Sequence, residues 1–293
     1  MRIISIRTPE GECPGVTVDI DGTDRAALIP GGYTAIDVLA DPEAREAARQ
    51  AAESVNPSSP ALSDLELAAP VRPGKMLCLG YNYRGHVPDG RDPRSEDPDF
   101  PDVFVKTPNT LGGPADPVVL PSAAVDVDYE GEIALVIGRT ARSVPEEHAL
   151  SHVAGLTLLN DVSDRSWQRR QSQWTMGKCF DGFAPLGPWI VTSDDIDDPQ
   201  DLVVEVVRDG RVTVSQSTAT TIFSAAFIVH HLSTVMTLEP GDIISTGTPQ
   251  KLPEAQTAHR PLVPGDAITI RVAGIGELTT TFVAAPETPE VPA

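Results

Sequence analysis

The chain has 293 residues, enough to bury a large core in one or two domains, and its 40% hydrophobic and 22% charged residues are those of an ordinary globular protein. Its formal net charge of −20 repels phosphate backbones, so nucleic acid is excluded as an expected partner. The 28 Pro and 23 Gly residues exceed what a helical bundle tolerates and favour an architecture of strands and loops.

The beginning of the chain and its cysteines indicate a cytoplasmic protein. Residues 1–7 lack the apolar run of a signal peptide. No stretch reaches the ~20 apolar residues that a membrane-spanning helix needs, so no membrane partner is expected. Cys13, Cys78 and Cys179 form an odd set without the spacing of a disulfide framework or a zinc site. Free thiols suit a reducing compartment.

Residues 1–72 are predicted to form a small N-terminal α/β domain. Two β-rich runs come first, and Asp21-Gly22 after the second has the sequence of a tight hairpin turn. Residues 34–55 are rich in Ala and Glu, with apolar residues at near-helical spacing, which predicts a helix. The Pro- and Ser-rich segment 56–60 ends that helix and begins a predicted linker.

Residues 73–285 are predicted to form a larger domain of many short strands. Asp209-Gly210 predicts another tight hairpin, and an apolar stripe predicts a helix over 221–236. The tail, 286–293, is expected to be disordered. The predicted strands of this domain include 76–79, 103–106, 133–137, 153–160 and 202–207.

Glu130 and Glu132 stand at the entrance of an apolar run that reads as a buried strand. Residues two apart on a strand share a face, so these two carboxylates point the same way, and Asp128 could join them. Like charges repel unless something positive lies between them, and burial makes the repulsion worse. Hard divalent cations prefer such oxygen ligands. A solvent-facing edge with alternating acids is the other interpretation, and this segment alone leaves both open.

A second acidic residue, Asp161, directly follows the apolar run 153–160. An acid at the end of a strand is well placed to complete a metal site. A structural interpretation is a helix cap, because Asp161 or Ser163 could cap a helix over 164–171. Both interpretations could hold together, with Asp161 as the ligand and Ser163 as the cap.

Five short motifs follow one another between residues 75 and 283. In this order they resemble the fumarylacetoacetate hydrolase family over most of the chain. Each motif alone is modest evidence, but five in the same order make a chance match implausible. They are Gly80-Tyr81-Asn82-Tyr83-Arg84-Gly85-His86, Asp128-Tyr129-Glu130-Gly131-Glu132, the segment 160–168 beginning Asn-Asp-Val-Ser, the segment 177–188 beginning Gly-Lys, and 241–249 ending Thr-Gly-Thr-Pro.

The resemblance implies an α+β, β-rich fold, with a mixed β-sheet roll or sandwich as the catalytic domain, and a homodimer. It implies a Mg²⁺ site, with Mn²⁺ or Ca²⁺ as other candidate ions, whose ligands would be Glu130, Glu132 and Asp161. Lys178 would be the active-site cation and His86 the proton-transfer residue on a mobile lid. The residues implied to lie near the substrate are Tyr83, Arg165, Gln168 and Thr248, the last holding a carboxylate or carbonyl.

Two departures from the family pattern bear on the reaction. Many relatives have Glu three residues after the early His, where it completes a catalytic dyad, but this chain has Asp89. Asp is shorter by one methylene, and Pro88 and Gly90 disfavour the helix that such a lid needs. The Thr-Gly-Thr-Pro turn often continues into a Gly-rich loop, whereas here it continues as 250–254, so one wall of the pocket is expected to differ.

A 2-oxo acid can chelate a divalent cation, which then stabilises an enolate. We therefore predict a metal-dependent hydrolase that cleaves a C–C bond in a small 2-oxo acid or 1,3-dicarbonyl compound such as an acylpyruvate or fumarylpyruvate. Decarboxylation, isomerisation and dehydration share the enolate and stay open. A non-catalytic metal-binding protein is a second interpretation, motivated by Asp89, although the retained carboxylates and Lys178 argue against it. Trp174 and Trp189 are expected in the core.

Overall fold

The computed structural model describes residues 1–86 and 97–286. Asp89, the predicted partner of His86, lies outside the described residues, and so does the predicted tail after Pro286. Among the described helices, none is both long and apolar enough to cross a membrane.

Strands dominate the described part of the chain. They are β1 Arg2–Thr8, β2 Gly11–Ile20, β3 Thr23–Leu28, β4 Leu67–Ala68, β5 Met76–Gly80, β6 Asp102–Lys106, β7 Leu111–Gly112, β8 Val118–Leu120, β9 Val127–Asp128, β10 Gly131–Ile137, β11 Val153–Asn160, β12 Ser163–Asp164, β13 Ala184–Thr192, β14 Val203–Arg208, β15 Arg211–Ser217, β16 Ile243–Ser245, β17 Ala267–Val272 and β18 Gly276–Ala284.

The helices between them are short. They are α1 Ala35–Ala40, α2 Pro42–Ser54, α3 Glu146–Ala149, α4 Arg165–Gln168, α5 Thr175–Lys178, α6 Ala225–Val235 and α7 Pro253–Thr257. Single 3₁₀ turns lie at Leu62–Asp64, Pro108–Thr110, Leu150–His152, Ser193–Asp195 and Thr218–Thr220.

The described strands form one large mixed sheet of 11 strands, whose main order is β3-β2-β1-β13-β11-β10-β16-β5-β6. Most neighbours are antiparallel, but β16 runs parallel to β5 and β7 runs parallel to β13. A second sheet has the order β15-β14-β17-β18-β8, and β9 pairs with β12 in a separate two-stranded sheet. The predicted β-rich mixed fold is therefore confirmed.

The N-terminal strands belong to the large sheet. β1 pairs with β13 through Arg2 opposite Val191 and Ile3 opposite Ile190. The predicted hairpin turn is confirmed, since Asp21 and Gly22 have positive φ angles of 53° and 81° and join β2 to β3. The large sheet thus contains strands from both sides of the domain boundary predicted between residues 72 and 73. The division into two domains stays a prediction.

The helix predicted over 34–55 is two helices. Asp41 ends α1 by donating its N–H to the Asp37 carbonyl at 2.7 Å. Its carboxylate also caps α2 by accepting from the N–H of Glu43 at 2.7 Å. Pro42 cannot donate a backbone hydrogen bond and has the φ angle of a first helical residue, so the chain starts a new helix there.

Helix α6 is shorter than the predicted 221–236. Ser224 is its N-cap and accepts from the N–H of Phe227 at 3.1 Å. The residues before it are tied to Asn82, which accepts from the N–H of Ile222 through its carbonyl at 2.7 Å and from that of Phe223 through its amide oxygen at 2.8 Å. Hydrogen bonds to Asn82 thus take the place of the helical hydrogen bonds predicted for the first turn.

The two sheets pack closely at the start of β10. A Cβ atom on Gly131 would lie 2.5 Å from Val206 of β14 and 3.0 Å from Ile270 of β17. Only glycine leaves room for this approach, because protein interiors are close-packed. The residue between Glu130 and Glu132 is thus where the second sheet rests on the first.

Candidate active site

Two neighbouring strands bring three carboxylates together. Glu130 directly precedes β10, Glu132 lies in β10, and Asp161 directly follows β11. The strands are antiparallel with Gly131 opposite Asn160, and the Asp161 N–H donates to the Glu130 carbonyl at 2.8 Å. Each of the three side chains offers an oxygen, and these oxygens lie within 4.8 Å of one another. The family resemblance implied this set of three residues, whereas the spacing of Glu130 and Glu132 alone left a solvent-facing edge as the other interpretation.

Glu132 is buried and anchored from the side of β16. One of its carboxylate oxygens accepts from the Ser245 hydroxyl at 2.5 Å and from the N–H of Gly247 at 2.9 Å. Burial raises the pKa of Glu132 well above its ordinary value, and the negative charges of Asp161 and Glu130 raise it further. A cation among the three carboxylates would reverse this penalty.

Glu130 is held by two cations. Lys178 Nζ donates to one carboxylate oxygen at 2.6 Å, and Arg165 Nη1 lies 2.6 Å from the other. Burial alone would raise the pKa of Glu130, but the charges of Arg165 and Lys178 outweigh it and hold the pKa well below its ordinary value. Glu130 is therefore ionised at neutral pH.

Lys178 is buried at the end of α5 and lies among the carboxylates. Its Nζ donates to Asp161 at 2.5 Å as well as to Glu130, and it lies 4.7 Å from the centre of the Phe104 ring. Burial alone would lower the pKa of Lys178, but Asp161 and Glu130 raise it above its ordinary value. The anionic partners that its burial requires are therefore present.

A second buried lysine, Lys106, went unnoticed in the sequence. Its fully buried Nζ donates to the other oxygen of Asp161 at 2.6 Å, to the Lys178 carbonyl at 2.6 Å and to the Val162 carbonyl at 3.1 Å. Lys106 ends strand β6, and a lysine at a strand end is usually solvated. The only feature of the sequence that indicates burial of Lys106 is the apolar run before it. That run does not reveal which residues contact the lysine.

The donor set fits a hard divalent cation. The three side chains offer oxygen atoms only, which is the coordination that Mg²⁺, Mn²⁺ and Ca²⁺ prefer. The cluster also meets the charge requirement, because three carboxylates stand against the cations Lys106, Lys178 and Arg165. The cluster can therefore accept a divalent cation and a dianionic ligand without a large net charge.

Arg165 begins α4 and connects the cluster to two of its neighbours. It donates to Gln168 at 2.9 Å and to Asp128 at 3.0 Å. Asp128 also accepts from Lys251 and does not join the metal cluster. The cap predicted at Asp161 or Ser163 belongs instead to Asp164, which accepts from the N–H of Trp167 at 2.8 Å. Because Ser163 belongs to strand β12, helix α4 begins at Arg165, one residue later than predicted.

His86 lies beside the cluster and is anchored by Thr248. Its Nδ1 lies 2.8 Å from the Thr248 carbonyl, so Nδ1 carries the proton that it donates and Nε2 is left as an acceptor. Burial lowers the pKa of His86 below its ordinary value of 6.5. The ring is therefore neutral at neutral pH, which is the form that can accept a proton.

The side chain of Thr248 is already engaged. Its hydroxyl donates to the Gly131 carbonyl at 3.0 Å, which fixes the Thr-Gly-Thr-Pro turn against β10. Thr248 still lines the cavity, but its hydroxyl proton serves the fold. The substrate contact implied for Thr248 stays a prediction.

The cluster opens into a cavity of about 650 Å³. Most of the predicted site residues line it: His86, Glu130, Glu132, Arg165, Gln168, Lys178 and Thr248. Tyr83 is fully buried and is not among the described lining residues, whereas Tyr81 is. Trp174 was expected in the core but lines the cavity half-buried, while Trp189 is buried as expected. Among the described residues, the structure therefore gathers most of the predicted site around one cavity, with Asp161 buried beside Lys178 and Tyr83 outside the lining.

The chain is similar to several known proteins. Residues 75–283 match the family model described as fumarylacetoacetate (FAA) hydrolase C-terminal. The chain is 41% identical over 198 residues to a fumarylacetoacetate hydrolase domain-containing protein 2 homolog from Dictyostelium discoideum, which covers 64% of each chain.

Two solved structures resemble almost the whole chain. A 5-carboxymethyl-2-hydroxymuconate delta-isomerase from Mycobacterium smegmatis is 32% identical, with a TM-score of 0.78 over 98% of this chain and 100% of that one. A maleylpyruvate hydrolase from Sphingobium sp. SYK-6, in complex with manganese(II) and pyruvate, is 30% identical with a TM-score of 0.78 and the same coverage.

Proposed function

The chain belongs to the fumarylacetoacetate hydrolase family, and on that premise we propose that it is a divalent-metal-dependent hydrolase of a small 2-oxo acid. Its substrate would carry a second carbonyl group, as an acylpyruvate or fumarylpyruvate does. The reaction would cleave the C–C bond between the two carbonyl groups. The observation that carries the proposal is the cluster of Glu130, Glu132 and Asp161 around Lys178, in which Glu130, Glu132 and Lys178 line one cavity.

Glu130, Glu132 and Asp161 would hold the metal, with Mg²⁺ or Mn²⁺ as the candidates. A divalent cation there would supply Lewis acidity toward the carboxylate and keto oxygens of a 2-oxo acid. The similarity to a hydrolase solved with manganese(II) and pyruvate supports this assignment.

Lys178 and Arg165 would stabilise negative charge on the substrate. Both cations line the cavity and contact Glu130. Fixed charges in a cavity that excludes water act more strongly than in bulk water and need no reorganisation during the reaction. Gln168, which lines the same wall, would offer its amide to the substrate carboxylate.

His86 would act as the general base. Its Nε2 would take a proton from water, and the hydroxide would add to the distal carbonyl carbon. Collapse of that adduct would release a carboxylic acid, and the electron pair of the broken C–C bond would leave with the enolate of pyruvate. The proton on Nε2 would then return to the enolate carbon, so water is the only co-reactant. The Thr248 carbonyl would fix the tautomer throughout.

Isomerisation is the second candidate reaction. The similarity to a 5-carboxymethyl-2-hydroxymuconate delta-isomerase favours it, and it needs proton transfers without attack by water. The same His86 could carry the proton between two carbon atoms. Asp89 would be the residue that separates the candidates, as its shorter side chain stands where many relatives have Glu.

The proposed function is tested with purified protein, a panel of acylpyruvates and a hydroxymuconate. Removal of metal with EDTA should abolish turnover, and Mg²⁺ or Mn²⁺ should restore it. Formation of pyruvate identifies hydrolysis, whereas a shift of the absorption band without pyruvate identifies isomerisation. Glu132→Gln should lose both metal binding and turnover, and Glu254→Gln on the exposed face of α7 is the control. Turnover that persists in EDTA would contradict the proposal.

The homodimer implied by the family resemblance also stays a proposal. Light scattering coupled to size exclusion would measure the mass of the assembly against the 31.1 kDa of one chain.

A further inference from the structure

Three aromatic side chains form one side of the cavity, and we call Tyr81, Phe104 and Trp174 the aromatic wall. The Trp174 ring lies 5.7 Å from the Tyr81 ring and 5.5 Å from the Phe104 ring, each edge-to-face. All three side chains are half-buried, which leaves ring surface open to the cavity. They form a continuous apolar surface that starts beside Lys178, which lies over Phe104.

The wall begins at the two groups that would perform the chemistry. Tyr81 contacts the His86 ring edge-to-face at 5.4 Å, and Phe104 lies under Lys178 Nζ at 4.7 Å. A substrate whose 2-oxo acid end is held at the carboxylates would therefore have this surface beside its remaining atoms. The backbone of Tyr81 has a φ angle of 53°, a left-handed conformation that costs energy for a residue with a Cβ.

Gly80 makes room for Trp174. A Cβ atom on Gly80 would lie 2.6 Å from one carbon of the indole and 2.7 Å from another. Real Cβ atoms do not approach so closely, so the indole occupies the space that a side chain at the end of β5 would take. The position of Trp174 therefore depends on a glycine in another segment.

The cavity is also lined by the amides of Gln168, Gln171 and Gln250. A cavity of about 650 Å³ is far larger than the pyruvate part of a substrate requires, since pockets of such size hold whole drug-sized ligands. The lining around the remaining volume therefore includes both aromatic rings and amide groups. A flat group with polar edges fits both surfaces, because aromatic rings prefer stacked or edge-to-face partners.

We infer that Trp174 is a specificity-determining residue, and that the substrate carries a planar tail, unsaturated or aromatic, which packs on the aromatic wall. This inference rests on the proposed function, because the tail is defined relative to a 2-oxo acid held at Glu130, Glu132 and Asp161. It names the class of the group attached to the distal carbonyl, which the carboxylate cluster alone leaves open.

The inference is tested with three inert probes that share one metal-chelating end. Oxamate has no tail, N-phenyloxamate has a planar tail, and N-cyclohexyloxamate has a saturated tail of similar size. Their dissociation constants are measured by calorimetry with the full chain, in saturating Mg²⁺ and again in EDTA. Oxamate should bind only with metal. The phenyl probe should bind about tenfold or more tighter than oxamate, because its tail buries apolar area and makes an aromatic contact. It should also bind tighter than the cyclohexyl probe, which buries a similar area without the aromatic contact.

Three variants identify the residue responsible. Trp174→Leu keeps an apolar side chain without the flat face and should reduce the phenyl advantage over oxamate to about twofold. Gly80→Ala should do the same by displacing the indole. In the double variant the alanine should add nothing, because the ring that it would displace is gone. Phe100→Leu is the control, since Phe100 stacks on His231 and is not among the described residues that line the cavity.

The outcomes separate this inference from the proposed function. If oxamate fails to bind in a metal-dependent way, the proposed function fails. If oxamate binds with metal but the phenyl probe gains nothing over it, the planar tail is overturned. If the folded Trp174→Leu variant still binds the phenyl probe as much tighter than oxamate as wild type does, Trp174 is not the residue that recognises the tail. Additive effects of Gly80→Ala and Trp174→Leu would overturn the role given to Gly80.

Discussion

Lys106 Nζ lies 2.6 Å from Oδ1 of Asp161, and neither side chain is exposed to solvent. The same ammonium group binds the backbone carbonyl of Lys178, so one buried cation fixes both a proposed metal ligand and the proposed active-site lysine. It also donates to the Val162 carbonyl. Lys106 is thus in a position to orient the cluster without lining the cavity.

Replacing Lys106 by Met should weaken metal binding about 10–100-fold, as the loss of a group that orients a metal ligand does in other proteins. The physical reason is that Asp161 loses the partner that fixes its carboxylate. Calorimetric titration with Mn²⁺ checks this prediction. Lys75→Met is the matched control, because Lys75 pairs with Asp242 and is not among the described residues that line the cavity. Equal Mn²⁺ affinity in the folded variant and wild type would contradict the role given to Lys106.

Replacing Lys178 by Met should make the stability of the protein depend on metal. Without metal, Glu130 and Asp161 lose a buried cation, a change that typically costs about 3–5 kcal/mol. Added Mg²⁺ would supply the missing positive charge, so the melting temperature should rise more than in wild type. Melting curves in EDTA and in Mg²⁺ measure the difference.

Turnover of the same variant separates stability from chemistry. The Lys178→Met change would leave developing negative charge without its donor, which should lower kcat about 10²–10³-fold even with metal bound. Lys178→Arg retains the charge but changes its geometry, so it should recover much of the stability and little of the turnover. A variant that melts like wild type under both conditions would show that Lys178 does not balance the carboxylates.

The acid limb of the pH–rate profile should lie below pH 6.5. Burial lowers the pKa of His86 below that ordinary value, and the neutral ring is the active form. Activity should therefore persist at weakly acidic pH and be lost as the pH falls through the lowered pKa. The dependence of kcat/KM on pH reports the free enzyme.

His86→Gln should remove the base, with a loss of about 10²–10⁴-fold in kcat. Binding of oxamate in Mg²⁺ should be retained, because the ligands of the carboxylate cluster are intact. An acid limb at or above pH 6.5 would contradict the lowered pKa, and near-normal turnover of the variant would assign the proton transfer to another group.

The ion pair between Asp116 and Arg7 should make the stability of the fold depend on pH in the acid range. Arg7 in β1 donates to its two oxygens at 2.8 and 2.6 Å, and Gly113 donates its N–H at 2.7 Å. The hydrogen bond from Arg7 lowers the pKa of Asp116. A lowered carboxyl pKa contributes stability above the unfolded value of about 3.9, and that stability is lost as the pH falls through the folded value.

Asp116→Asn should therefore lower the urea midpoint at pH 7, by an energy of about 1 kcal/mol or less because both side chains are partly exposed. The difference from wild type should shrink as the pH falls below about 4. Glu10→Gln, at the exposed turn between β1 and β2, is the control. A difference that is the same at pH 7 and at pH 3 would assign the effect to shape rather than charge.

The family resemblance implied the carboxylate cluster, and the strand pattern by itself supported only part of it. The spacing of Glu130 and Glu132 indicated that their carboxylates share a face, whereas Asp161, which directly follows another apolar run, left a metal ligand and a helix cap both open. Asp128 has the same two-residue spacing from Glu130, but its carboxylate accepts hydrogen bonds from Arg165 and Lys251. Its partners come from distant segments, and no spacing within its own strand distinguishes it from Glu130.

The cavity wall required tertiary information. Tyr81 and Tyr83 are two residues apart in one motif, yet Tyr81 lines the cavity and Tyr83 is buried, since the positive φ angle of Tyr81 turns the chain there. Trp174 looked like a core residue because its ring is large and apolar. It packs against Gly80, about a hundred residues earlier, and such a match of a ring with a missing side chain is visible only in three dimensions.

The pairing of β1 with β13 has a consequence for how this protein can be divided. A chain cut at residue 73 would keep every residue proposed for chemistry but would uncover the backbone of β13 near Ile190 and Val191. Unpaired N–H and C=O groups on a buried apolar strand recruit other molecules. Such a fragment should aggregate through that strand, because β1 within the first 72 residues covers the backbone edge of β13.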